Sequence, residues 1–292
     1  PELDSELIKA GQKQLAVMGL RPNDWFVCLH VREGGYKNDY GRREFRNADI
    51  LKCVDGIRDI TARGGWVVRL GDKTMNPLPS MERVIDYPHT CWKSDSMDLF
   101  LTRFCRLFVG TISGPMELAI LFARRMLILN IFDWSCGVLI RTGDRGLLKH
   151  VYCRRQKRYL SIQELIRSGR DFVHGMGSVS SGYELVDNSP KEIHAAIVES
   201  LNLLGKKQVE DTPLQMEARR TLKKAARPII EKEGFNPVAS KSEGVLRFQY
   251  QTAARVAMEQ GALCQFYLER NWQQDELNPM VAQEDDLTGS IE

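Results

Sequence analysis

Short apolar runs rich in β-branched and aromatic residues recur along the first 130 residues, and the segments that separate them are expected to be helices. Few architectures accept that rhythm. Trp25 to Val31 (WFVCLHV) lies between Pro22-Asn23-Asp24 and Glu33-Gly34-Gly35, so it reads as a buried strand with a sharp exit. Asn47-Ala48-Asp49 then precedes Ile50, Val54, Ile57 and Ile60, whose three- and four-residue spacing predicts a helix ending at Gly64-Gly65. Trp66 to Leu70 is a second strand, closed by Gly71. Strand, helix, strand implies a right-handed crossover and parallel pairing. Val84 to Tyr87 is a short strand ended by Pro88, and Met97 to Cys105 a helix after a Ser94-Asp95-Ser96 start. Leu107 to Val109, a turn over Gly110 to Gly114, a helix from Pro115 to Ala123 and a strand from Met126 to Asn130 complete the series. Five strands so arranged predict an α/β protein with a doubly wound, parallel, Rossmann-like sheet.

The pattern weakens from Ile131 to Gly182, where Ser161 and Glu164 at capping-box spacing mark one helix start. Asn188-Ser189-Pro190 opens a clear helix through Ile193, Ile197 and Leu201 to Gly205. Leu214 to Glu233 is charged and helical, with an interruption expected at Pro228, and the acidic end from Gln283 to Glu292 is expected to fray. The organisation is therefore a Rossmann-like domain over 1–205 and a helical C-terminal extension over 206–292. Lys and Arg number 41 against 38 Asp and Glu, a formal charge of +3, which gives no reason to expect nucleic acid. No apolar stretch nears the roughly 20 residues of a membrane span, and Pro1 to Gln14 is too polar for a signal peptide. Seven scattered cysteines, never at C-x-x-C spacing, point to a reduced, cytoplasmic setting without structural zinc. The chain begins at Pro1 without an initiator Met, as expected of a truncated or processed product or of one half of something longer.

In such a sheet ligands bind beyond the carboxyl ends of the strands. The first strand ends His30-Val31-Arg32, where alternation puts His30 and Arg32 on one side. An arginine fork suits a phosphate and a histidine can donate to a phosphate oxygen, although a lone H-x-R is more often a salt-bridged arginine beside a hydrogen-bonded histidine. At Gly110-Thr111-Ile112-Ser113-Gly114-Pro115 a strand enters a small-residue turn that opens a helix, so backbone N–H groups and the helix dipole favour an anion above the sheet; a plain N-cap by Ser113 is an equal reading. Neither G-x-G-x-x-G after the first strand nor a P-loop nor G-x-S-x-G occurs. His30, His89, His150, His174 and His194 show no metal-site spacing, so any divalent ion would come with the substrate.

Taken in order, several segments resemble a family of bacterial glycosyltransferases and, more distantly, the fucosyltransferases with an H-x-R motif. They are FVCLHVRE (Phe26 to Glu33), FRNADI (Phe45 to Ile50), GGWVVRLGD (Gly64 to Asp72), VIDY (Val84 to Tyr87), KSDSMDLFL (Lys93 to Leu101) and CRLFVGTISGP (Cys105 to Pro115). LN (Leu129, Asn130), LSIQEL (Leu160 to Leu165), NSPKEI (Asn188 to Ile193) and, more weakly, GALCQFYLERNW (Gly261 to Trp272) follow. The resemblance implies the C-terminal domain of the two-Rossmann GT-B fold and transfer of a sugar, without metal or other cofactor and with inversion, from a nucleotide-diphosphate donor, a GDP-sugar by the fucosyltransferase likeness. The acceptor would be a surface glycan or another hydroxyl compound.

By the same resemblance His30 and Arg32 contact the diphosphate, and Arg32 stabilises charge on the leaving phosphate. Thr111, Ser113 and the N–H groups from Gly114 onward hold the pyrophosphate, and Asp86 and Tyr87 border base or ribose. Tyr36, Asp39, Arg46 and Asn47 lie on a loop able to reach sugar or acceptor, or to be a solvated connection, with Arg46 and Asn47 the stronger candidates. Arg69 is a ligand contact or, more in keeping with its place inside a strand, a buried partner for Asp72 or Asp98. Fewer than 25 residues precede the first strand, a departure from the two-domain pattern: the other Rossmann domain is expected to have been removed, or the acceptor site to come from another chain, a partner domain or a second copy, or the chain to bind without catalysis. The general base is unassigned; Glu33 and Asp39 are nearest but read better as solvated loop acids. A non-catalytic nucleotide or glycan binding module, or an assembly subunit on the same fold, is the rival, and a dehydrogenase the third option.

Overall fold

The computed structural model describes residues 1–35, 44–132, 134, 138–167, 173–174, 178–232 and 260–273 (main chain alone at 173, 174, 178 and 226–232). Strands β1 (Phe26–His30), β2 (Trp66–Arg69), β3 (Val84–Asp86), β4 (Leu107–Gly110), β5 (Met126–Ile131) and β6 (Arg145–Leu148) are joined by β12 (Ala262–Leu263) in one seven-stranded sheet, in the order β12-β6-β5-β4-β1-β2-β3. Every pairing in it is parallel. β1, β4 and β5 are buried along their whole length, which is why they appear in the sequence as continuous rather than alternating apolar runs.

From β1 the chain winds outward to β2 and β3, and from β4 it winds the opposite way to β5 and β6. Right-handed crossovers in opposite directions need helices on opposite faces. Accordingly α2 (Val54–Ala62) packs with α6 (Pro190–Asn202), whereas α3 (Asp95–Phe104) packs with both α1 (Ser5–Val17) and α4 (Gly114–Leu121). The α2–α6 approach is close enough that a Cβ on Gly56 would lie 2.1 Å from Ile197 Cδ1. The starts follow local chemistry: Ser94 accepts from Met97 N at the head of α3, and Ser189 and Glu192 form a full capping box on α6.

Three local features differ from the sequence expectation. No helix joins β2 to β3. Instead the 70–83 connection is pinned by Arg69, which donates to the Asn76 carbonyl (2.6 Å) and to Asp86 (2.9 Å), while Asp86 accepts from Leu78 N (2.8 Å). Second, α7 (Pro213–Lys232) runs through Pro228. Third, the weak stretch after Ile131 contains β6 and an antiparallel sheet of β7 (His150–Cys153), β8 (Arg158–Tyr159) and β11 (Tyr183–Val186), with β9 (Val173–His174) paired to β10 (Ser178–Val179) and a short helix α5 (Ile162–Arg167).

The part of the chain after Gly205 contributes α7, the edge strand β12 and α8 (Gln265–Asn271). It is tied to the sheet by charge. Buried Arg145 on β6 meets Glu199 of α6 (2.6 Å) and Asp211 (2.9 Å), and Asp211 also holds Arg219 of α7 (2.6 Å). Among the described residues no helix is long and apolar enough to cross a membrane, and the six described cysteines are free thiols.

Candidate functional site

The order 3-2-1-4-5-6 within the sheet reverses direction between β1 and β4, and the carboxyl ends of that pair are where sheets of this kind bind ligands. His30 and Gly110 face each other there, in register. A Cβ on Gly110 would come within 2.5 Å of the His30 carbonyl, which makes glycine the residue that lets the two strands close up at their exits. The chain ends are then stitched across the pair: Thr111 N donates to His30 O (3.0 Å), and Arg32 N donates to Thr111 Oγ1 (2.9 Å).

Ser113 precedes α4 but does not cap it with its side chain. Its hydroxyl donates to Thr111 O (3.0 Å) and stands 3.0 Å from His30 Nδ1. One hydroxyl carries one hydrogen, so a bond to the carbonyl leaves a lone pair to accept Nδ1–H and puts the free ring lone pair on Nε2. Burial, with the positive charges of Arg69 and Arg32, lowers the His30 pKa to about 4, so the ring is neutral at physiological pH. Among the described residues a Cβ on Gly114 would meet nothing within 4 Å.

The segment 44–49 crosses above these exits as a strap. Ala48 N donates to Arg32 O (3.0 Å), and Arg46 donates to the Ile112 carbonyl (3.1 Å) with its guanidinium 5.8 Å from the centre of the Phe132 ring. Phe45 packs edge-on against Phe132. The Asn47 side-chain oxygen accepts from the Arg32 guanidinium, and its backbone carbonyl accepts from Lys149 Nζ (3.0 Å). Lys149, at the end of β6, is held by Asp187 (2.6 Å), and its pKa is lowered by burial against the opposing pull of that carboxylate.

His30, Arg32, Arg46, Asn47, Thr111, Ser113 and Gly114 are thus brought together at the switch point. Asp86 and Tyr87 are not. Asp86, on the outer strand β3, is engaged with Arg69 and Leu78 N, and Tyr87 is buried with its hydroxyl donating to Ser94 O (3.1 Å) and accepting from Ser94 N (2.9 Å). Glu33 pairs with Arg69 (2.8 Å) and accepts from Asn76 N (2.8 Å), which makes it a structural acid rather than a solvated one. Arg69 pairs with Glu33 and Asp86, not with Asp72 or Asp98. Tyr36 and Asp39 lie outside the described residues.

Phe132, Lys149 and Asp187 escaped the sequence reading. Gly146-Leu147-Leu148 is a strand signal of three residues, and the rule that ligands lie past strand ends points from it to Lys149. Guanidinium groups, hydroxyls and a helix N-terminus gather around a neutral histidine, and groups of this chemistry suit an oxyanion. Among the described residues no three His, Cys, Asp or Glu side chains gather as metal ligands.

No protein-family model and no curated protein matches the sequence. Among solved structures, the glycosyl transferase family 9 protein from Veillonella parvula DSM 2008 is similar at 13% identity, with a TM-score of 0.33, over 44% of this chain and 36% of that one. The chain thus spans about a third of that protein's length. An overlap of that size decides neither fold nor chemistry, which rest on the sheet topology and the residues above.

Proposed function

We propose that the protein is a glycosyltransferase of GT-B type whose switch-point crevice takes the diphosphate of a nucleotide-sugar donor, a GDP-sugar by the likeness of its H-x-R segment. The observation that carries this reading is the meeting of Arg32, Arg46, Thr111, Ser113 and the start of α4 around neutral His30 at the carboxyl ends of β1 and β4. Arg32 would hold the leaving phosphate as the bond from the anomeric carbon lengthens, and the N–H groups from Gly114 onward would share the charge without reorganising. Transfer would be inverting and metal-independent, to a glycan or other hydroxyl acceptor in cytoplasmic polysaccharide synthesis, with a partner domain or a second copy completing the acceptor side.

A module that binds without catalysis is favoured by one observation. Glu33, the carboxylate beside Arg32, is committed to Arg69 and Asn76 N, and Asp187 to Lys149, so neither serves as the base for an acceptor hydroxyl. Thermal unfolding with GDP, UDP, CMP and NAD tests nucleotide binding: a ligand at about 100 times its Kd stabilises the native state by roughly 2.7 kcal/mol. Stabilisation by GDP or UDP, followed by transfer or hydrolysis of the matching sugar nucleotide, supports the enzyme. Stabilisation without turnover supports the module, stabilisation by NAD alone revives a dehydrogenase, and no shift with any of the four defeats the donor site.

A further inference from the structure

Lys149 is 3% exposed, and an ammonium group is costly to bury without partners. The partners it has lead to the candidate site. Asp187 receives one N–H of Nζ at 2.6 Å, and the Asn47 carbonyl receives another at 3.0 Å. Asp187 is itself immobilised through its neighbour. Asn188 and Asn130 exchange backbone-to-side-chain bonds (2.9 and 2.7 Å), and Asn188 Nδ2 donates to the Leu148 carbonyl (2.7 Å), which fixes residues 187–188 against the ends of β5 and β6. Asn130 takes a positive φ of 52° in this clamp, a conformation asparagine tolerates better than most residues.

Asn47 therefore makes two bonds of opposite direction in the molecule: its main chain to the β6 side, its side chain to Arg32 on the β1 side. We infer that Lys149 and Asp187 are positioning residues that set the Arg32 guanidinium by fixing Asn47, a role that rests on Arg32 being the diphosphate contact. Without Lys149 the Asn47 peptide can turn, and the side-chain oxygen that orients Arg32 turns with it. An ordinary buried ion pair would contribute to stability alone; a positioning pair also changes what Arg32 binds.

The test is a double-mutant cycle, read by titration of GDP and UDP into the full chain, together with a crystal structure of Lys149→Met. Lys149→Met is expected to weaken the nucleotide that binds by about tenfold, within the usual coupling of neighbouring groups, and Lys149→Arg to restore part of the loss. In an Arg32→Ala background the same change should leave Kd within about twofold. An equal loss in both backgrounds overturns the proposal, because Lys149 would then act independently of Arg32. The crystal structure should show the Arg32 guanidinium displaced from Asn47; an unmoved Arg32 also overturns it. If neither nucleotide binds the unaltered protein, it is the donor-site reading that fails, and the crystal structure still decides the positioning role. Asp187→Asn, which keeps the shape of the cluster, gives the same pattern and stands in if Lys149→Met does not fold.

Discussion

Two arginines sit near the carboxyl edge of the same sheet, and their surroundings differ in kind. Arg69, at the end of β2, is fully buried and holds Glu33, Asp86 and the Asn76 carbonyl at once, while those two carboxylates collect Asn76 N and Leu78 N. That cluster is closed on itself, and it shapes the connection from β2 to β3. Arg32, two residues past β1, is held by its main chain to Thr111 and Ala48 and by its side chain to an amide oxygen, beside a neutral histidine. A cationic side chain at a strand exit is therefore not a site by itself. Among the described residues the two differ in setting: Arg69 ties two carboxylates into the connection between β2 and β3, whereas Arg32 stands with a hydroxyl, an amide and a histidine at the switch point.

Arg69→Met should give the largest effect, and on stability. It leaves two carboxylates at the β2–β3 exit without their cation, a change that typically costs 3–5 kcal/mol. Denaturant unfolding should show an unfolding free energy lower by that amount, with nucleotide binding retained by the molecules that fold. A small stability change together with lost binding would reverse the contrast and make Arg69 the ligand contact. Arg32→Ala should do the opposite: transfer falls by roughly 10²–10³, while unfolding free energy moves by less than about 1 kcal/mol. Unchanged transfer removes Arg32 from the site.

The histidine offers a third contrast, one of pH. Its folded pKa of about 4 lies below the 6.5 of an unfolded chain, so the unfolded state binds the proton first. Stability linked to His30 is complete above about pH 6.5 and is lost as pH falls toward 4, by an amount on the order of 3 kcal/mol. Glu192 is also depressed, to about 2: burial pushes it up, but bonds from His150 and Ser189 outweigh that. Its contribution is lost in a lower window, from about 4.5 down to 2. Asp144 works in the opposite sense: burial raises its pKa to about 6, so its contribution grows as pH falls from about 6 toward 4. His30→Gln should therefore abolish the loss of stability between pH 6.5 and 4.5, leave the rise due to Asp144, and keep the lower limb in place. Stability that still falls between pH 6.5 and 4.5 in that variant would mean that His30 is not the depressed group.

How much of this was legible depends on where each residue's partners lie. The strands β1, β2, β4 and β5 announce themselves because parallel strands buried on both faces are locally apolar, and α3 and α6 because their caps are local too. β6 carries Arg145 and runs into Lys149 and His150, charges that read as surface until Glu199, Asp211, Asp187 and Glu192 arrive from 38 to 66 residues away. A short window cannot register such cancellation. The same holds for Arg69, whose acids lie 36 residues before and 17 after it. His30, Arg32, Thr111 and Ser113 stood out because the strand-exit rule needs only a strand and the few residues after it, whereas Lys149 stayed hidden with its strand.

Thr111→Val is the mildest change and the closest probe of the stitching between the two exits. The substitution keeps the β-branched shape at a position 1% exposed, so packing is nearly unchanged, but it removes the oxygen that accepts Arg32 N–H. A part-buried N–H left without an acceptor costs about 1–3 kcal/mol, and the backbone at Arg32 can then rotate away to find one. Unfolding free energy should fall within that range and nucleotide affinity with it, because the main chain that aims Arg32 has lost one of its ties. Thr111→Ser restores the acceptor while deleting a buried methyl, so it should recover the affinity and retain a stability loss near 1 kcal/mol. If both variants lose affinity equally, the methyl contact rather than the hydrogen bond sets Arg32. If Thr111→Val loses stability alone, the two exits are held together by Thr111 without any bearing on what binds above them.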